Sequence, residues 1–169
     1  MLGDINTSHS LLSIGHPTVD IVASGDNVKV IEKGVNNTVP DQIKILGTVG
    51  PLKAPISLNF RGGATFPGVP VTAWEIVGQK GIIRLTSPWW GLNVGVPDTK
   101  IEFFDIATGE VEHLEAENDE LADLPNAARN IARLYEAYRQ GSWWPDWEWA
   151  VKRHEFLEDL WRSFDEGNS

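Results

Sequence analysis

The sequence predicts an α+β fold: a largely antiparallel mixed sheet followed by two C-terminal helices packed on one face. Three observations carry that prediction. Strand-like runs fill the first two thirds of the chain, tight connections such as "GQK" and "ATGE" join them into hairpins, and helical spacing begins only after Asp123. The 169 residues are expected to form a single domain, 1–169, long enough to bury a core.

Taken in order, Ile5–Leu12 alternates, with Ile5, Thr7, His9 and Leu11 on one side and Asn6, Ser8 and Ser10 on the other. Two short β-like runs follow, Val19–Ala23 and Val28–Glu32, around the turn residues Gly25-Asp26-Asn27. Gln42–Val49 and Ile56–Arg61 are the next strands, before the bend "RGGATFPGVP". Thr72–Val77 pairs with Gly81–Thr86, and Ile101–Ile106 pairs with Val111–Glu115, each across a glycine-containing turn. A helix is expected from Asp123 to Gln140, with Pro125 in its first turn, a stripe of Ala127, Ala128, Ile131, Leu134, Tyr135 and Tyr138, and Gly141 as its stop. A second runs from about Asp146 to Phe164, with Trp147, Ala150, Val151, His154, Leu157, Trp161 and Phe164 as its core stripe. Trp149 and Phe156 form a smaller second strip, and Trp143 and Trp144 sit where a hydrophobic staple would fix the start of this helix.

Composition excludes several classes of function. A net charge of −10 argues against a nucleic-acid surface and against anionic membranes. There is no cysteine, hence no disulfide, thiolate metal site or cysteine nucleophile. No apolar run approaches a membrane span, and the start lacks the pattern of a signal peptide, so a cytoplasmic location is the expectation. The four histidines form no HxH or HExxH pair, and no metal site is expected. His154 reads as a hydrogen-bonded core histidine, and His16, before Pro17, as an exposed turn residue. The acidic "EVEHLEAENDELAD" reads as a solvated loop.

Several blocks occur in an order that resembles a known family: "TVPDQIKILGTV", "ISLNFRGG", "AWEIVGQKGIIRLTS", "LPNAARNIARLYEAYRQG" and "WPDWEWAVKRHEFLEDLW". They are similar to the C-terminal domain of the glucose–fructose oxidoreductase / inositol dehydrogenase family, most of all to its fungal, galactose-repressor-like members. The resemblance implies an N-terminal dinucleotide-binding domain, a Glu-Lys-Pro motif and a catalytic histidine. None has a counterpart here: no GxGxxG follows a strand, and Glu32-Lys33 is followed by Gly34. By the resemblance the catalytic histidine lies upstream of Leu2-Gly3, so no redox residue carries over and no cofactor is expected. The chain is then either part of a longer dehydrogenase or a stand-alone descendant without the redox half.

The resemblance further implies a sheet covered by helices on one face and open on the other. Alternation places Ser57, Asn59 and Arg61 in one polar row, and Trp74 and Ile76 opposite Ala73, Glu75 and Val77. A concavity edged by aromatic side chains and lined by these polar ones could orient a small substrate. The same residues also suit a solvated face with ion pairs such as Glu75 with Arg61 or Arg84. Trp89 and Trp90, in "SPWWGLNVGVP", either plug the sheet edge or form a pocket lid.

These observations lead to two expectations of different class. The first is a cofactor-free cyclase or isomerase of fungal natural-product biosynthesis, of Diels-Alderase-like cycloaddition type, binding a small hydrophobic organic ligand. Its catalytic candidates are His9, Asn59, Arg61 and Glu75, and its substrate-binding candidates are Trp74, Trp89, Trp90 and Trp149. A homodimer through the open sheet face is also expected, and it belongs most directly to the alternative that follows. The alternative is the substrate-binding or oligomerisation domain of an NAD(P)-dependent dehydrogenase, or a non-catalytic regulatory relative.

Overall fold

The computed structural model describes residues 3–23, 29–90, 98–115, 120–121 and 123–167. The turn expected at Gly25-Asp26-Asn27, the later part of the Trp89–Trp90 loop and the middle of the acidic stretch lie outside the described residues. Nine strands precede two helices among the described residues: β1 (Ile5–Ser13), β2 (Thr18–Val22), β3 (Val30–Asn36), β4 (Gln42–Val49), β5 (Ala54–Arg61), β6 (Thr72–Val77), β7 (Gly81–Ser87), β8 (Lys100–Asp105), β9 (Val111–Leu114), α1 (Asn126–Gln140) and α2 (Trp147–Gly167). The fold is α+β, every described strand pair is antiparallel, and the helices come last. The chain divides into two compact units, Met1–Gly63 with Asp146–Ser169, and Ala64–Pro145.

In the first unit β4 is the middle strand of the order β1-β4-β5, and β2 with β3 forms a separate hairpin. Ile43, Ile45 and Val49 of β4 lie opposite Phe60, Leu58 and Ala54 of β5, so one face of the sheet is apolar. Ile45 and Val49 are buried. The register with β1 slips between Ile5 and Thr7, where Asn6 is the extra residue of a bulge. Ile5 therefore pairs with Val49 and joins the apolar face, whereas unbroken alternation would have placed it beside His9 and Leu11.

Helix α2 packs on β1. Asp146 caps it, accepting from the backbone N–H of Trp149 at 2.8 Å, while its own carbonyl receives the N–H of Ala150 at 3.1 Å. The buried stripe of α2 is not the expected one. Ala150, Arg153, Phe156 and Phe164 are half-buried and Leu160 is buried, whereas Trp147 is 83% exposed and Val151, His154, Leu157 and Trp161 are also exposed. The strip containing Phe156 thus faces inward, and His154 is a surface residue rather than a core one. Both stripes are apolar at helical spacing, and contacts far away in sequence choose between them. Arg153 bridges to Asp4, 2.5 Å apart, and lies over the Trp149 ring, 5.4 Å from its centroid. That pairing turns the Arg153–Phe156–Leu160 side toward β1.

In the second unit the sheet order is β6-β7-β8-β9. Gly81 opens β7, where a Cβ would come within 2.4 Å of the Phe104 carbonyl oxygen and the Phe103 ring, so the backbone approach itself requires glycine. Ser87 ends the strand 1% exposed, and its hydroxyl meets the Trp89 N–H and the Thr99 hydroxyl, each at 3.3 Å. Helix α1 stops at Gly141 in the left-handed conformation, φ 65°, with the Ser142 N–H returning to the Ala137 carbonyl at 3.0 Å. Trp144 packs edge-on against Tyr138 with ring centroids 5.3 Å apart, so it closes the end of α1 instead of stapling the start of α2.

Two stability measurements check these assignments. Leu160→Ala is expected to cost about 2–5 kcal/mol, against within about 0.5 kcal/mol for Leu157→Ala on the exposed stripe, by urea denaturation. Gly81→Ala is expected to cost about 1–3 kcal/mol by overpacking against Phe103 and Phe104.

Candidate functional site

Of the eight residues singled out from the sequence, four lie in the first unit and four in the second. His9, Asn59 and Arg61 share one face of the β1-β4-β5 sheet, opposite the face that holds Ile45 and Val49. The cross-strand rows of this face are His9–Leu46–Ser57, then Leu11–Lys44–Asn59, then Ser13–Gln42–Arg61. Polar alternation was thus a sound guide to facing. It did not bring the groups into one site, because β1 and β5 flank β4 and lie about 10 Å apart, two strand spacings. A histidine and an amide at that separation do not converge on one reacting atom.

This face is open to solvent. Leu11 is 67% and Leu46 60% exposed, on adjacent strands and surrounded by His9, Lys44, Asn59 and Arg61. At the outer side of β1 a groove of about 660 Å³ runs between the strand and α2. His9, Asn6 and Ser10 line it from β1, and Arg153, Glu155, Phe156, Asp159 and Leu160 from α2. His9 alone of the expected catalytic residues reaches it. Trp149 sits in the first turn of α2, solvent-exposed, with the Arg153 guanidinium over its ring.

The remaining four candidates belong to the four-stranded sheet and its adjoining loop. Glu75 accepts from Arg84 Nε at 2.7 Å, and its row continues through Glu102 to His113, 3.5 Å from the Glu102 carboxylate. The Glu75–Arg84 contact realises one of the ion pairs anticipated for Glu75. Trp74 is on the other face, in the row of Leu85, Ile101 and Leu114. The Thr72 hydroxyl donates to the Trp89 carbonyl at 2.6 Å, fixing the loop to β6, while Trp90 projects 83% exposed. Among the described residues no group of His, Asp or Glu side chains is arranged to hold a metal ion.

Sequence reasoning missed the most ordered polar cluster in the first unit. Asp41, just before β4, accepts from the Gly15 N–H at 2.6 Å, the His16 N–H at 3.0 Å and the His16 ring Nδ1 at 2.5 Å. The imidazole lies over Gly63, where a Cβ would come within 2.9 Å of it. His16 is half-exposed, as its position in a turn suggested. The only sequence signal for its partner was an aspartate 25 residues away. The Gly15 amide, followed by the His16 ring, holds the Asp41 carboxyl at about 2, below the usual carboxylate range.

The sign of the resulting pH dependence follows. A carboxyl whose folded pKa is depressed contributes stability that is present above its unfolded value, about 4, and is lost as pH falls toward 2. Asp41→Asn is expected to flatten the decline in unfolding free energy across that window, leaving the rest of the pH profile parallel to the parent chain's.

Comparison with known proteins addresses function. Residues 1–87 match the family described as Gal80p, C-terminal domain. No curated protein sequence matches the chain. A super-repressor mutant of Gal80p from Saccharomyces cerevisiae superposes over 98% of this chain and 44% of its own, with a TM-score of 0.71 at 19% identity. The transcriptional regulator Gal80p from Kluyveromyces lactis covers 97% of this chain and 40% of its own, with a TM-score of 0.67 at 20% identity. The chain therefore spans less than half of the length of these solved structures, and the likeness to them is one of fold.

These findings correct several expectations. The solved relatives are described as a transcriptional regulator and as repressor variants, not as enzymes, which overturns the cofactor-free cyclase or isomerase, its Diels-Alderase-like chemistry and its natural-product setting. The small hydrophobic ligand and the cytoplasmic location are corrected with them, the solved relatives being described as a regulator of transcription and as repressor variants. The physical error was to treat an open sheet face as a pocket wall. The galactose-repressor likeness itself stands, and with more than half of its length matched, the chain belongs to the Gal80p C-terminal domain family.

Proposed function

We propose that this chain is the partner-binding part of a non-catalytic, nuclear regulator of transcription, and that the open face of the β1-β4-β5 sheet is where it meets a regulatory protein. One observation carries the reading. Two large aliphatic side chains, Leu11 and Leu46, stand exposed on adjacent strands of a face that also carries His9, Lys44, Asn59 and Arg61. An apolar centre with a polar rim that includes arginine is the anatomy of a protein–protein contact. A catalytic site would need the reverse, polar groups converging inside a volume that excludes water.

On this reading Leu46 is the anchor and Arg61 a rim contact, so substitutions should differ in kind. Leu46→Asp places a charge in the middle of the contact without disturbing the buried face of β4. It should weaken partner binding by at least ~10-fold, while Arg61→Ala should act more weakly and mainly through the association rate. The test is in the native organism. Deleting the gene should change the abundance of a defined set of transcripts several-fold, and Leu46→Asp at normal protein level should reproduce that change. A deletion that leaves transcripts unaltered while a metabolite accumulates would sink the regulatory reading.

A further inference from the structure

The groove between β1 and α2 plays no part in the function proposed above, and its construction points to a ligand of its own. Among the described residues β1 pairs on one side only, with β4, so its outer edge presents backbone N–H and C=O groups to the groove. The opposite wall is α2 from Lys152 to Ser163. That stretch is about 17 Å long, and the facing part of β1, Asp4 to Ser10, is about 20 Å. A trough of this length, bounded by an unpaired strand edge and a helix, has the shape of an extended backbone rather than of a compact molecule.

The side chains specify what kind of segment would fit. Phe156 and Leu160 supply apolar floor. The positive charges on this stretch of helix are already engaged: Arg153 with Asp4 and Lys152 with Glu148, 3.0 Å away. Asp159 meets Arg162 at 2.9 Å on the exposed side of the helix, and Glu155 adds a second carboxylate to the groove wall. The excess charge of the groove is therefore negative.

We infer that this groove binds an extended peptide segment of a partner protein, added as a strand to the outer edge of β1, with apolar and basic side chains in turn facing α2. The strand edge supplies main-chain hydrogen bonds, Phe156 and Leu160 take the apolar side chains, and Glu155 takes the basic one. The site shares His9 with the rim of the Leu11–Leu46 face but neither leucine lines it, so either proposal can fail without the other.

The probe is the blocked hexapeptide acetyl-Val-Thr-Lys-Thr-Val-Thr-amide, whose first, third and fifth side chains fall on one face. Titrated into the parent chain, it should bind saturably and slow amide exchange at alternate residues of β1. The same peptide N-methylated at alternate positions, which cannot donate to a strand edge, should bind at least ~10-fold more weakly. Glu155→Lys should weaken the unmodified peptide by a similar ~10-fold, and Leu46→Asp should leave its affinity unchanged. No saturable binding, equal affinity for the N-methylated peptide, or protection confined to strands other than β1 would each overturn the inference.

Discussion

The hydrogen-bonded register of β4 with both of its neighbours is the constraint on which the first unit depends. Every residue of β5 from Ala54 to Arg61 is paired to β4, and β1 is paired to it from Ile5 to Ser13 with a single slip. A one-residue shift of β4 would exchange its two faces, sending Ile45 and Val49 to solvent and Lys44 and Leu46 inward. The bulge at Asn6 preserves that facing at the end of β1, because it rotates Ile5 back onto the side of Val49. The groove, the Leu11–Leu46 face and the docking of α2 all inherit their positions from this one register.

Much of this was legible in the sequence, and the reason is local. Gln42–Val49 and Thr72–Val77 are rich in strand-forming residues and bounded by residues that favour turns, so local pattern alone defines their limits. The facing of Ser57, Asn59 and Arg61 followed from the same period of two. Helix α2 resisted for the opposite reason. It carries apolar residues on two stripes, and hydropathy cannot say which one meets the sheet. The choice is made by Arg153 and Asp4, which are 149 residues apart in the chain. The Asp41–His16 cluster was hidden in the same way, by a sequence separation of 25 residues that spans β2 and β3.

The site was less legible than the fold, because alternation reports which side chains share a face and nothing about whether that face is enclosed. His9, Asn59 and Arg61 satisfied the first criterion and failed the second. Glu75 is the converse case. Its neighbour across the sheet, Arg84, holds it in an ion pair on the exposed face.

The tryptophans between Trp143 and Trp149 show how one cluster of similar residues divides by environment. Trp144 closes α1 against Tyr138, Trp149 carries the Arg153 guanidinium, and Trp147 lies on the exposed stripe of α2. Only Trp149 bears on the groove, and it does so indirectly. By stacking on Arg153 it restricts the rotamers of a side chain whose Nη2 is already fixed by Asp4, so this part of the groove wall is held by two constraints rather than one. A wall held that way has lost its conformational freedom before anything binds. Part of the ordering cost that an incoming segment would otherwise impose has been met within the fold, and this preorganisation is what separates a built groove from a gap between a strand and a helix.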